Sequence, residues 1–174
     1  MTEVLLFQKQ LIKIGSMSLP EAKKKIMDYV ANRDHSEAEL RTKLQTRFEM
    51  DVTEDALHWA RDQKWLAKPD ALTEKVADQL HRRGKGIHSI NQSLEAKGLP
   101  TTQSDFETEI AKARKLVFAK WAASDFNGLD FETAKKLQAK IMRYLGSRGF
   151  DSDVVDQILK LDLNVKGSLY DEEY

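Results

Sequence analysis

The 174-residue chain contains no cysteine, only 3 prolines and 8 glycines, and no excess charge of either sign. Without cysteine it can have neither a disulfide scaffold nor a thiolate metal site, and its composition fits a reducing, cytoplasmic compartment. Because 28 basic side chains balance 28 acidic ones, the whole molecule has no net field that would steer it toward nucleic acid or a membrane. No stretch approaches the roughly 20 apolar residues of a membrane-spanning helix. We therefore expect a protein that is neither inserted in a membrane nor exported.

The scarcity of proline and glycine leaves long intervals rich in Ala, Leu, Lys, Glu, Gln and Arg, which is typical of helices joined by short turns. Ser36 followed by Glu39 forms a capping box, which predicts a helix start. Gly98 and Gly149 predict helix ends, because glycine readily adopts the left-handed conformation that closes a helix. The stretch 103–121 is predicted to contain a short helix followed by a longer one, although no strong breaker marks the junction.

The middle helices repeat at a nearly constant interval. Three pairs of apolar residues align at intervals of fifty and then fifty-one residues: Leu40 and Leu44, Ile90 and Leu94, and Ile141 and Leu145. Self-similarity at a fixed period is the signature of stacked supersecondary units. Independent helices of similar length could drift into the same register, but two of the following turns also share a basic residue, a glycine and an apolar residue. We therefore predict an all-α fold, an elongated, right-curved solenoid of three tandem three-helix repeats.

This pattern divides the chain into five segments. They are an N-terminal extension at 1–19, three-helix repeats at 20–66, 67–110 and 111–161, and a flexible acidic tail at 162–174. The extension contains seven large apolar residues between Val4 and Ile14, so it is predicted to pack against the end of the solenoid. The tail has no helical periodicity.

The sequence carries only weak signals for catalysis or metal binding. The four histidines are His35, His58, His81 and His88. Only His81 and His88 share a plausible neighbourhood, but they straddle a glycine-bearing turn and lack nearby carboxylates at ligand spacing, so we expect the histidines on the surface. The segment Gly84-Lys85-Gly86 lacks both the spacing of a phosphate-binding loop and the strand that precedes one. We therefore predict that the chain is not an enzyme and requires neither a metal nor another cofactor.

The chain contains three tryptophans, Trp59, Trp65 and Trp121. Each has apolar neighbours at helical spacing. They are predicted to anchor the core and not to stack on nucleic-acid bases.

Positive charge is concentrated in the middle of the chain. Between Lys75 and Lys120 there are nine basic and five acidic side chains, an excess of four positive charges. Arginine's planar guanidinium suits phosphate or carboxylate acceptors, whereas the alternative is that these residues close helix C-termini and keep the surface soluble. The candidate partner-binding residues lie at the repeated turns: Arg33, Arg82, Arg83, Lys85, Lys97 and Arg148.

Three stretches resemble the RecX family, the bacterial regulators of the RecA recombinase. They are DHSEAELRTKL at 34–44, RRGKGIHSI at 82–90 continuing to LEAKGL at 94–99, and YLGSRGF at 144–150. The resemblance extends over roughly residues 26–159. Each stretch by itself is a common signal for a helix start or a helix end, but all three at about fifty-residue intervals form an unusual combination. The chain departs from the family pattern near Phe48, where the glycine of the turn is missing.

The resemblance implies a three-repeat architecture and an activity carried by binding. Members of the RecX family bind in the groove of the RecA filament on single-stranded DNA and suppress filament growth, ATP hydrolysis and strand exchange. The chain is therefore expected to be a regulator, mainly an inhibitor, of RecA in DNA repair, the SOS response and homologous recombination. We expect it to act as a monomer, with weak direct DNA binding left open.

A second reading of the residues is a helical-repeat DNA-binding protein that acts by competition for DNA through its basic middle repeat. It predicts tight binding to naked DNA with a steep dependence on salt. The neutral net charge favours the regulator.

Overall fold

The computed structural model describes residues 18–121 and 129–162, and every regular element in these ranges is helical. The α-helices are α1 (Leu19–Asn32), α2 (Glu37–Gln45), α3 (Met50–Asp62), α4 (Pro69–Arg82), α5 (Ile87–Glu95), α6 (Phe106–Trp121), α7 (Phe131–Gly146) and α8 (Ser152–Gln157), and α8 continues into a π-helical turn over Ile158–Asp162. The all-α fold class is thereby confirmed. Most of the predicted N-terminal extension and acidic tail lies outside the described residues. Among the helices that the structure describes, none is both long and apolar enough to cross a bilayer.

The helix starts follow from local hydrogen bonding. In the capping box at α2, the backbone N–H of Glu39 donates to Ser36 Oγ at 3.0 Å, and the backbone N–H of Ser36 donates to Glu39 Oε2 at 3.2 Å. These bonds satisfy two backbone donors that a helix start leaves free. The predicted capping box is confirmed.

Helices α4, α5 and α7 are each followed by a glycine in the left-handed region, with φ of 70° at Gly84, 62° at Gly98 and 81° at Gly149. The turn after α2 has no such glycine because it is one residue shorter. Phe48 follows the last fully buried leucine of α2 by four residues, and its N–H donates to the carbonyl of that residue, Leu44, at 2.9 Å. The departure from the family pattern near Phe48 therefore has a geometric cause.

The prediction of two helices in the stretch 103–121 is wrong. One helix, α6, runs without a break from Phe106 to Trp121, and residues 96–105 contain no helix. Pro100 has no N–H and disfavours the helical conformation at the residue before it. The Asn91 side chain then forms two hydrogen bonds with the backbone of Thr102, at 2.9 and 3.0 Å, which hold the connection in an irregular path. The boundary predicted between residues 110 and 111 lies inside α6.

The described residues form two compact units, one of residues 18–75 and 95–100 and the other of residues 76–94, 101–121 and 129–162. The core of the first unit consists of Ala22, Ile26, Leu40, Leu44, Phe48, Ala56, Leu57 and Ala60. The main core of the second consists of Ile110, Ala113, Val117, Ile141, Leu145, Phe150, Val154, Val155, Ile158 and Leu159. All six residues that define the repeat register are fully buried: Leu40, Leu44, Ile90, Leu94, Ile141 and Leu145. Burial of these residues is the physical reason for the periodicity in the sequence.

In the first unit, the turn after α5 packs against the start of α2. The Ser36 hydroxyl donates a hydrogen bond to the carbonyl of Lys97. A Cβ atom placed on Gly98 would lie only 2.5 Å from Ala38 Cβ. The turn therefore approaches the helix more closely than a residue with a side chain would allow.

In the second unit, the turn after α7 packs against the start of α5 in a similar way. The N–H of Gly86 donates to the carbonyl of Arg148 at 2.8 Å, and the N–H of His88 donates to the carbonyl of Gly149 at 3.1 Å. A Cβ atom on Gly149 would lie 2.4 Å from the backbone nitrogen of Ser89. This contact cannot be relieved by moving a flexible side chain, because the obstructing atom belongs to the backbone.

Replacing Gly149 with alanine should lower the free energy of unfolding by about 2–4 kcal/mol, from the left-handed backbone and the close contact together. The matched control is Gly146→Ala, because Gly146 is helical and a Cβ atom there meets nothing within 4 Å. The control should be more stable than the wild type by about 0.5–1 kcal/mol. Urea unfolding measures both, and equal stability of the Gly149→Ala variant and the wild type would contradict the packing described above.

Candidate partner-binding surface

The six predicted partner-binding residues are divided between the two units. Arg33 and Lys97 lie in the first unit, and Arg82, Arg83, Lys85 and Arg148 lie in the second. The structure gives these residues different surroundings, so they are described unit by unit.

Arg33 and Lys97 converge on a single carboxylate in the first unit. Glu39 Oε1 lies 2.6 Å from Lys97 Nζ and 3.0 Å from Arg33 Nη2, and the Glu39 side chain is only 13% exposed. Burial acts to raise the pKa of Glu39, but hydrogen bonds from Arg33, Lys97 and the Ser36 backbone outweigh it and lower the pKa to about 2. Lys97 therefore holds the turn after α5 to the start of α2, and Arg33 holds the end of α1 to the same helix start.

His35 lies next to this cluster and is 3% exposed, which contradicts the prediction of surface histidines. Its Nδ1 lies 2.9 Å from the Arg33 carbonyl, and its Nε2 lies 2.9 Å from Lys43 Nζ. Because an ammonium group can only donate, Nε2 is the acceptor and Nδ1 carries the proton, so His35 is neutral. Burial lowers the pKa of His35, and the charges of Arg33 and Lys43 also lower it. His58 and His88 are exposed, as predicted.

The turn after α4 in the second unit, residues 82–85, is named the basic turn. Gly84 N–H donates to the His81 carbonyl at 2.9 Å and Lys85 N–H to the Leu80 carbonyl at 3.0 Å, the hydrogen-bond pattern of a Schellman motif. Arg82 and Arg83 are exposed, and Lys85 is half-buried. In the described part of the chain no hydrogen bond or ion pair holds these three side chains. Their charges are available to a partner.

Arg148 supports the basic turn. Its Nη1 donates to the carbonyls of Arg83 and Gly84 at 3.2 and 3.3 Å, and its guanidinium lies 4.7 Å from the centre of the Tyr144 ring. These carbonyls belong to the end of α4, where a positive charge is stabilising. Arg148 therefore positions the basic turn and adds its own positive charge to the surroundings.

A buried acidic residue that the sequence did not point to caps the start of α5, which follows the basic turn. Glu109 on α6 is 3% exposed and accepts a hydrogen bond from the backbone N–H of Ile87 at 3.1 Å. Lys112 Nζ lies 2.6 Å from Glu109 Oε1 and 2.8 Å from His81 Nδ1. Burial lowers the pKa of His81, and the Lys112 charge lowers it further. A Glu and a Lys three residues apart beside apolar positions are the only sequence signal for this cluster.

The arrangement is suited to binding a carboxylate or a phosphate. Three unpaired cationic side chains extend from a turn whose backbone is hydrogen-bonded to Arg148 and whose neighbouring helix start is capped by Glu109. Across residues 18–121 and 129–162, no three side chains of His, Cys, Asp or Glu come together as metal ligands would.

The tryptophans differ in burial. Trp59 and Trp121 pack against the cores of the first and second units, as predicted. Trp65 remains 41% exposed, so its assignment as a core anchor is wrong.

The fold defines an all-helical protein built from three-helix units. Residues 22–59 match the family model "RecX, first three-helix domain", and residues 107–159 match "RecX, third three-helix domain". These regions correspond to α1–α3 and α6–α8. The chain belongs to the RecX family.

Individual relatives agree with this assignment. The "Regulatory protein RecX" of Leptothrix cholodnii is 32% identical over 151 residues, which cover 80% of this chain and 87% of that protein. The "Regulatory protein RecX" of Clostridioides difficile is 27% identical over 149 residues, which cover 83% of this chain and 69% of that protein. The fold alone is also similar to the crystal structure of RecX from Lactobacillus salivarius, with a TM-score of 0.62 and 16% identity, covering 84% of this chain and 97% of that one.

Replacing Glu39 with glutamine should lower the free energy of unfolding at pH 7 by about 1–2 kcal/mol, because two cations lose their shared partner. The stability that Glu39 provides is present above its unfolded pKa of about 4.5 and is lost as the pH falls toward 2, so the variant should show a weaker acid dependence in this range. Urea unfolding at pH 7 and pH 3 measures both effects. The control is Asp28→Asn, whose exposed carboxylate lies 3.8 Å from Lys25, with an expected change below about 0.5 kcal/mol. A change in the Glu39→Gln variant as small as the control's would contradict the structural role of the cluster.

Acidification from pH 7.5 to 5.5 should also lower the stability of the wild type. Unfolded histidine, with a pKa of 6.5, takes up a proton in this range, whereas folded His35 resists protonation because its pKa is lowered. The free energy of unfolding of the variant His35→Gln should decrease less than that of the wild type over the same pH range. The decrease that the variant still shows includes the contribution of His81, whose pKa is also lowered. If the variant and the wild type lose equal stability between the two pH values, His35 is not the group responsible.

Proposed function

We propose that this chain is a regulator, mainly an inhibitor, of RecA that binds the RecA filament on single-stranded DNA and limits its growth, ATP hydrolysis and strand exchange. Membership of the RecX family and relatives named regulatory proteins support the proposal. The observation that carries the site assignment is the basic turn, whose Arg82 and Arg83 are exposed and have no partner within the described chain. In this assignment the basic turn contacts acidic groups of the filament.

The proposed action is a shift of populations and not a chemical step. A protein that binds one arrangement of filament subunits more tightly than another increases the population of the first arrangement. It can therefore block subunit addition or favour a less active filament without a catalytic group or a cofactor. We further propose that the protein is cytoplasmic and acts as a monomer.

The second candidate is competition for DNA through the same basic turn. The excess positive charge between Lys75 and Lys120 favours it, because cationic side chains that neutralise phosphates release counterions. Competition requires tight binding to naked DNA that weakens steeply with salt. Regulation of the filament does not require it.

The deciding experiment is a titration of RecA ATP hydrolysis on single-stranded DNA with the full chain, beside a naked-DNA binding curve at two salt concentrations. Inhibition at concentrations too low to occupy the DNA supports direct regulation of the filament. Inhibition that appears only when the naked DNA is saturated supports competition. An unchanged rate of ATP hydrolysis would contradict both.

The triple variant Arg82→Glu, Arg83→Glu and Lys85→Glu tests the assignment of the surface. We expect inhibition of ATP hydrolysis to weaken at least tenfold, because attraction between opposite charges becomes repulsion between like charges. The matched control reverses Lys135, Lys136 and Lys140, three exposed lysines of α7, and so changes the net charge equally. Circular dichroism establishes that both variants fold. A folded basic-turn variant that inhibits as well as the control would exclude the basic turn as the contact.

A further inference from the structure

Lys64, just after the end of α3, has a backbone conformation that is unfavourable for a residue with a side chain. The N–H of Lys64 donates to the Arg61 carbonyl at 2.9 Å, and the N–H of Trp65 donates to the Ala60 carbonyl at 3.1 Å. These two bonds form a Schellman motif, which places Lys64 in the left-handed region with φ of 58°. A residue with a Cβ atom is strained in this conformation, whereas glycine is not.

Glycine occupies the other positions of this kind in the described residues, namely Gly84, Gly98 and Gly149. Lys64 is the exception, and its side chain is exposed. Strained residues of this type occur preferentially at binding sites, where the side chain has a use that offsets its cost. The lysine side chain at position 64 therefore requires an explanation beyond the fold.

Trp65, the next residue, is held in place and yet remains 41% exposed. Its ring lies edge to face with that of Trp59, with 5.0 Å between ring centres and an interplanar angle of 74°. Trp59 in turn packs against the core of the first unit. This contact is the hydrophobic one that accompanies a Schellman motif, so it fixes the indole without burying it.

Three lysines lie close to this tryptophan pair, one in space and two in sequence. Lys64 precedes Trp65, Lys68 follows three residues later, and Lys23 Nζ lies 5.0 Å from the centre of the Trp59 ring. In the ranges that the structure describes, none of the three lysines takes part in a hydrogen bond or ion pair through its side chain. The neighbouring carboxylate of Asp62 lies 3.5 Å from His58 Nδ1 and is not directed to any of them.

We propose that Lys64, Trp65 and Lys68, with Lys23 beside them, form a contact for single-stranded nucleic acid. A base stacks on the exposed indole of Trp65, and the lysines neutralise the phosphates on either side. Nucleic acid fits better than an acidic protein surface, because a single strand presents a flat aromatic base and a phosphate charge in every repeating unit. The inference goes beyond the proposed function, since it assigns a direct contact with the strand at a place separate in sequence from the basic turn.

The test measures binding of the full chain to a fluorescently labelled oligothymidine by anisotropy at low salt, with no RecA present. Trp65→Ala should weaken binding about tenfold, the effect of losing one base stack, and Trp65→Phe should retain most of the affinity. The matched control is Phe131→Ala, which removes an exposed aromatic ring that also lies near a lysine, 5.9 Å from Lys135 Nζ. The control should bind as the wild type does.

Lys64→Gly separates a binding role from a structural one. It should raise the melting temperature by about 2 °C, because glycine relieves the left-handed strain. It should also weaken oligothymidine binding and reduce the slope of log affinity against log salt by about 0.7, the loss of one phosphate contact. Higher stability with lower affinity is the expected result, whereas a purely structural residue would change stability alone.

Three outcomes would overturn the proposal. They are no measurable binding of the wild type to oligothymidine, equal affinities of the wild type and Trp65→Ala, and a Trp65→Ala variant that loses inhibition of RecA but keeps its affinity for the oligomer. The last outcome would assign the surface to a protein partner. None of them affects the proposed function, because regulation of RecA is tested separately through the basic turn.

Discussion

Close contact between a glycine turn and the start of a middle helix holds consecutive repeats together. The turn at Gly98 lies against Ala38 in one unit, and the turn at Gly149 lies against Ser89 in the other. Glycine is needed in both places for two reasons, the left-handed backbone and the absence of a Cβ atom. In each contact the turn follows the middle helix of one repeat, and the helix start belongs to the middle helix of the preceding repeat. Each contact therefore links two repeats. The approximately fifty-residue period in the sequence reflects this linkage.

Some basic residues at these turns are held by groups of the protein itself, whereas others are free to bind a partner. Lys97 is paired with Glu39, and Arg148 donates to the carbonyls at the end of α4. Both cations are thus paired with groups of the protein itself. Arg82 and Arg83 have no such task in the described chain and remain exposed. Basic residues at corresponding turns thus have different roles, because only some of them face an acceptor.

Much of the fold could be predicted because its signals are local. The capping box at Ser36 and the glycines at positions 98 and 149 each involve residues within one helical turn, and all three predictions were correct. The single helix α6 could not be predicted in this way. Asp105 caps its start by accepting a hydrogen bond from the Thr108 N–H at 2.8 Å. The irregular path before that cap depends on the Asn91 side chain, which reaches from α5 to the backbone of Thr102, eleven residues away. Apolar spacing alone does not contain that contact.

The candidate surface was predictable only in outline. The sequence by itself determined the helical repeats, their register and the positions of the basic residues at the turns, because periodicity and capping act between near neighbours. Only the tertiary structure decided that Arg33 is paired, that His35 is buried and that Trp65 is exposed. These properties depend on which distant groups come within hydrogen-bonding or van der Waals distance, and chain folding alone brings those groups together.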